Sequence, residues 1–446
     1  MTASGRSSLV SAAARITPAR TSGNTGLGLP RWPFTVMFVL FPVWWALGLA
    51  EAAWIPCAAI MVVYLVKRGG ALVPRGFALW LLFLLLMLVS VIGIDTSGRL
   101  IGFIYRALLY LTVTIVFVYL YNARTTISTR YVLGVLTIFW LVVIAGGYLG
   151  ILMPEFSFRT PLGYVLPSSL QANDLVQEMV VRRATQYNPD SVFGFEPRPA
   201  APFLYTNGWG NVYSLLMPAV VAYAGYLRGT RRFWLIVLAV PVSLVPAVLT
   251  LNRGMFLGLG VAVLYAAFRL ALLGRLRALF GLGVIGIVGI AAALSLGLAD
   301  RLSERLTFSS STEDRANLYV EAITRTLSSP LFGFGAPRPS QTPGAPSVGT
   351  QGHVWTVLFS HGFPALIVFL LTLVYFFFAT ARVATTTGLA LHTMQLVIIV
   401  EVFYYGVLPN GLVLSFIAAA LALRGDPVSE HVPLPLRRAT GISTRR

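Results

Sequence analysis

Charge is scarce in this 446-residue chain: Asp, Glu, Lys and Arg together make up 11% of it, where a soluble domain carries about 25%. So few charged groups cannot clothe a water-facing surface, and the soluble globular classes are excluded. One cysteine, Cys57, leaves no partner for an intramolecular disulfide, so segments on an oxidising side of a membrane gain no covalent staple. Lysine is nearly missing, Lys67 standing alone among arginines. No D-x-D, Walker loop, H-E-x-x-H or cysteine pair occurs. That disfavours metal-dependent sugar transfer from nucleotide donors and gives no sign of nucleotide hydrolysis.

Apolar residues are abundant instead, at 57% of the chain, with a mean hydropathy of +0.79. Runs of about 20 apolar residues are long enough to cross a hydrocarbon core of about 30 Å. Roughly twelve are expected, near 33–49, 52–66, 76–94, 101–121, 131–152, 209–227, 233–250, 254–272, 278–298, 353–379, 388–407 and 410–424. Apolar and polar residues do not alternate in them, which argues against a transmembrane β-barrel. The expected fold class is an all-α polytopic membrane protein.

The net charge of +18 does not signal nucleic acid, because its placement follows the membrane. Basic residues cluster at every second span boundary: Arg6, Arg15, Arg20 and Arg31, then Lys67, Arg68 and Arg75, Arg124 and Arg130, Arg228 to Arg232, Arg269 to Arg277, Arg382, and the tail from Arg424. Such an excess in short loops marks the cytoplasmic side. Both termini are therefore expected in the cytoplasm, and two long loops, 153–208 and 299–352, outside. Residues 1–32 read as a disordered tail, 33–424 as the transmembrane domain, and 425–446 as a second tail. No small-residue cleavage site precedes the first span, so the chain is expected to begin with a signal anchor.

The first external loop is broken by prolines and glycines, yet its aromatic and aliphatic content predicts a folded cap. The second carries Arg301, Arg305, Arg315, Arg325 and Arg338 and delivers His353 to the mouth of a span. Ser311-Thr312-Glu313-Asp314 supplies a capping residue and first-turn acids, predicting a helix from Glu313 to about Leu327. Its Leu318, Ala322 and Thr326 share one face. Ser328-Ser329-Pro330 ends it, and Gly333 and Gly335 bend the chain.

Several residues suit chemistry. Arg253, in Asn252-Arg253-Gly254, falls between two apolar segments with almost no loop; ionisable residues at such depth are functional candidates, against the alternative of an arginine snorkelling to headgroups. Arg315 alone reads as an exposed salt-bridging residue. Beside Arg253 it offers a second forked guanidinium that matches phosphate oxygens. His353 can serve as general base near neutral pH, or simply cap a helix. His361 lies deeper, while His392 and His431 read as incidental. Arg106 and Glu401 lie within spans and can pair with one another or with polar neighbours. Arg338 and Asn207 are further candidate substrate contacts, Asn207 equally a turn residue.

The order of three motifs resembles the O-antigen ligase and polymerase superfamily of bacterial membrane glycosyltransferases. They are the L-N-R-G turn, the R-A-N-L-Y…S-P-L-F-G-F-G stretch, and the G-H-V-W-T-V-L-F-S-H-G-F start of a span. The Y-T-N-G-W-G-N-V-Y…M-P string adds a further likeness, so that residues 203–375 are covered at motif level. The resemblance implies a GT-C-like bundle in the bacterial inner membrane, its active site facing outward. Arg253 and Arg315 would hold the pyrophosphate of a polyprenyl-linked glycan donor, and His353 would attend the hydroxyl of a glycan or glycolipid acceptor. Transfer would be inverting, with no metal or other cofactor. Val354 stands where the family commonly has asparagine, a departure that bears on the acceptor. Two other readings stand beside this one. A flippase of lipid-linked sugars would bury its arginines centrally and show related halves. A peptidoglycan polymerase of the shape-and-division type would rely on an external acid, for which Glu155, Asp174 and Asp300 are candidates.

Overall fold

A computed structural model describes residues 28–171, 174–186, 197–295, 297, 311–382 and 385–425. The first 27 residues of the N-terminal tail, the last 21 of the chain with His431, and Asp300, Arg301 and Arg305 lie outside the described residues. The described residues are 71% helical with almost no sheet, as in an all-α membrane-embedded protein. Large apolar side chains stay uncovered on the flanks, such as Leu85, Leu264 and Phe280. Lipid tails are the natural solvent for that surface, and the helix closes its own backbone hydrogen bonds there.

Among the described residues, six helices are long and apolar enough to cross a membrane: α5 (Ser97–Asn122), α6 (Thr129–Leu152), α11 (Arg231–Leu249), α12 (Arg253–Leu272), α13 (Leu276–Ser295) and α15 (His353–Ala379). Between them lie α10 (Thr206–Tyr226) and the shorter apolar helices α4 (Phe77–Val89), α16 (Thr386–Glu401) and α17 (Asn410–Leu423). The run expected near 33–49 is two short helices, α1 (Trp32–Val39) and α2 (Phe41–Leu47), and 52–66 becomes α3 (Trp54–Arg68). Pro42 explains the break, because proline lacks the N–H needed to continue a helix but suits its first turn. The core lies at α17, which is apolar on all sides and buried from Gly411 to Leu421. It packs on α5 and α16, and α10 packs on α6, α16 and α17.

The first loop does fold as a cap over its described part. Its helices are α7 (Pro161–Val165), α8 (Ser168–Gln171) and α9 (Asp174–Val180). Antiparallel β1 (Ser157–Arg159) pairs with β2 (Val181–Arg183), and β3 (Thr185–Gln186) with β4 (Arg198–Pro199). Arg182 fastens it to the bundle with two bonds to the Glu51 carboxylate, at 3.1 and 2.5 Å. The predicted helix of the second loop is α14 (Ser311–Thr326), and Leu318, Ala322 and Thr326 are its buried face, set against Val348 and Phe359.

The segment after α14 does more than bend. Helix α15 is broken at Gly362, whose φ of 80° and ψ of 176° suit glycine alone. Pro364 has no N–H to give the Ser360 carbonyl, and the Phe363 N–H turns to Pro330 O at 2.9 Å. Two carbonyls inside the span are thereby left open, a costly state in lipid. Phe334 N–H bonds to Phe359 O at 3.0 Å and Gly335 N–H to Ser360 O at 2.7 Å. The S-P-L-F-G-F-G stretch thus mends the break about 13 Å along the helix from its start, at 1.5 Å per residue.

Candidate anion-binding cleft

The turn between α11 and α12 has three residues. Leu251 takes a left-handed φ of 50°, and Asn252 caps the new helix in extended conformation. Asn252 locks the turn through its side chain, donating to Thr206 O at 3.1 Å and accepting from the Tyr405 hydroxyl. Residue 254 must be glycine because a Cβ there would stand 2.6 Å from the Tyr405 oxygen. The L-N-R-G string is therefore a fixed platform that points Arg253 into a cleft.

That cleft, of about 280 Å³, is lined by Arg198, Asn207, Arg253 and Arg315, by Tyr319, Tyr404 and Tyr405, and by Leu251, Asn252, Gly254 and Leu257. Each cation arrives on a separate element: Arg198 on β4, Arg253 at the start of α12, Arg315 on the second turn of α14. Asn207 lies in the first turn of α10, so two helix N-termini also face the space, each with partial positive charge. Among the described residues no acidic side chain lines it. Tyr319, one turn after Arg315, stacks on Trp355 with ring centroids 4.3 Å apart and planes at 13°. Burial lifts its phenol above the ordinary value and keeps it a neutral hydroxyl. Three guanidinium forks and two helix N-termini suit a polyanionic oxygen ligand.

Three of the expected site residues, Arg253, Arg315 and Asn207, thus meet in one place, and two do not join them. Arg338 is not among the lining residues: it pairs with Asp95 at 2.8 Å and lies 4.2 Å over the Phe334 ring. Arg99 pairs with the same carboxylate and donates to the carbonyls of Phe334, Ala336 and Pro337. His353 is not among the residues that line the cleft. It is 2% exposed, and its Nε2 bonds the Tyr110 hydroxyl at 2.9 Å. The physical reason is its backbone, which bonds Val402 O and Tyr405 O and turns the ring inward at the helix start. Arg106 and Glu401 are not partners. Glu401 is fully buried and accepts from Asn211 Nδ2 at 2.7 Å, clasping α16 to α10. His392 bonds Tyr265 and Thr380 at the other end of α16.

Arg198 is the cleft-lining residue that sequence reading missed. Its signal was weak, since Arg198 is one of several arginines in the two long loops and no local pattern sets it apart. Comparison of the chain with protein families, with curated proteins and with solved structures finds no match.

Proposed function

We propose that this protein is a membrane glycosyltransferase that moves a glycan from a polyprenyl-diphosphate carrier to an acceptor hydroxyl on the outer face of a bacterial inner membrane. The observation that carries this reading is the meeting of Arg198, Arg253 and Arg315 in one cleft. A diphosphate leaving group gathers charge as the glycosidic bond breaks, and fixed guanidinium donors stabilise that charge without a metal. Leu257, 45% exposed, forms one rim. A ligand with its phosphates on the arginines can keep an apolar tail in the bilayer past that rim. The motif order of the O-antigen ligase and polymerase superfamily supports the same reading, and with it a GT-C-like bundle of about twelve spans with both termini cytoplasmic.

Two alternatives fit less well. A flippase would be expected to hold its cations in a central cavity between related halves, whereas these arginines stand at element ends. A polymerase relying on an external carboxylate would need an acid in the cleft, and none lines it among the described residues. The test is transfer by purified protein from a polyprenyl-diphosphate glycan in EDTA. Product is expected, and it should fall sharply in Arg253→Gln and Arg315→Gln. Turnover unchanged in both variants, or activity only with added Mn²⁺, overturns the reading.

A further inference from the structure

A second polar cluster lies inside the bundle, and none of its residues lines the arginine cleft. Phe103, Arg106 and Tyr110 share one face of α5, at the i, i+3, i+7 spacing. Facing them are His353 and His361 of α15 and Ser90 of the 3-10 turn Ser90–Gly93. The His361 ring lies 6.4 Å from those of both Phe103 and Tyr110, and Tyr110 bonds His353. Arg106 is the cationic neighbour of both imidazoles. Its guanidinium makes no hydrogen bond or ion pair among the described residues. Nη1 folds back over Gly102, where a Cβ would come within 3.6 Å of it.

Two features mark this cluster as incomplete. A partly buried guanidinium without an acid is costly within a bilayer. Among the described residues His361 Nε2 is also buried without a partner, in a residue 2% exposed. Ser90 Oγ donates to Met87 O at 2.6 Å and bonds His361 Nδ1 at 2.6 Å, so Nδ1 is the donor of that pair. Nε2 is left with a lone pair that a hydroxyl can fill. The missing complement therefore has two parts, an anionic oxygen for Arg106 and a hydroxyl for His361.

We propose that Arg106 and His361 form a second ligand site, which takes a membrane lipid whose headgroup carries a free hydroxyl beside its phosphate. Arg106 lies on α5, a helix long and apolar enough to cross a membrane, where a lipid phosphate is the natural anion for its guanidinium. The site stands apart from Arg253 and does not depend on the glycan-transfer reading.

The test is native mass spectrometry of the full chain in detergent, titrated separately with phosphatidylglycerol, phosphatidylcholine and inorganic phosphate. Wild type should hold one phosphatidylglycerol in preference to phosphatidylcholine. Arg106→Gln should weaken that binding about tenfold or more, the worth of a charged hydrogen bond. Arg106→Lys should restore part of it, and Arg253→Gln should leave it intact. Equal binding by wild type and the Arg106 variants overturns the proposal. So does binding of inorganic phosphate with no lipid preference, which would assign the site to a free anion. Loss in Arg253→Gln alone places the lipid in the cleft, overturning this site but not the transferase reading. If Arg106→Gln does not fold, the comparison of wild type with Arg106→Lys decides by the same criteria, because a lysine cannot reproduce the guanidinium fork.

Discussion

Replacing Gly362 by alanine tests the mended break in α15. At φ 80° and ψ 176° an L-residue is strained by about 1–3 kcal/mol. The new Cβ would also stand 2.7 Å from Leu331 C and O and from Pro330 O. Backbone atoms cannot rotate aside, so the 330–335 segment must lift. Three bonds then go: Phe363 N–H to Pro330 O, Phe334 N–H to Phe359 O and Gly335 N–H to Ser360 O. At about 1 kcal/mol net each, the total loss is about 4–6 kcal/mol, a sum of the bond and strain figures. The assay is thermal unfolding in detergent together with limited proteolysis across residues 328–352. A lower Tm and faster cleavage in that stretch are expected. A variant that matches wild type in both refutes the idea that this segment completes the helix. Pro364→Ala is the companion: it returns a helical N–H to compete for Ser360 O, without the strain, and should loosen the segment less.

Other consequences are independent of that one. Arg253→Gln and Arg315→Gln should each weaken binding of a polyprenyl diphosphate about 10- to 100-fold, read by titration, whereas Arg338→Gln should not change it. Equal losses in all three would return Arg338 to the site. Glu51→Gln leaves Arg182, 1% exposed, without its counter-charge. A loss of about 3 kcal/mol is expected, at the low end for a broken buried pair because Glu51 keeps 17% exposure; an unchanged denaturation midpoint would show that the bridge contributes nothing. A hydrogen bond from Arg99, helped by the Arg99 and Arg338 charges, holds the Asp95 carboxyl below the usual carboxylate range. Its contribution is therefore present above the unfolded value and lost as pH falls through the depressed folded one. Protection of the 334–338 amides, measured against Asp95→Asn, should match the variant only in strong acid. A difference that vanishes near neutral pH would contradict this.

Much of this protein was legible in its residues. Apolar run length predicted a helical membrane protein because a bilayer forces every spanning segment to satisfy its own backbone. The single turn of L-N-R-G between two such runs predicted that Arg253 would be held at a helix start, and the Leu318, Ala322 and Thr326 spacing gave the buried face of α14. Lengths were less legible. Leu40–Pro42 divides one run, and α17, with 14 residues, is a core helix whose place depends on neighbours that cover all its sides.

Which polar groups meet was decided by tertiary structure. Arg198, Arg253 and Arg315 come from three distant stretches, and only the folding of the cap and α14 onto the α11–α12 turn unites them. His353 lay at the expected boundary, but the direction of its ring was set by backbone bonds to Val402 and Tyr405 that no local pattern encodes. Arg338 looked like its neighbouring cations until Asp95, more than 200 residues earlier, claimed it. Local sequence specifies what each residue can do, because period, length and charge are local quantities. Contacts between remote segments select which of those capacities is used, since a guanidinium binds whatever oxygen the fold brings within reach.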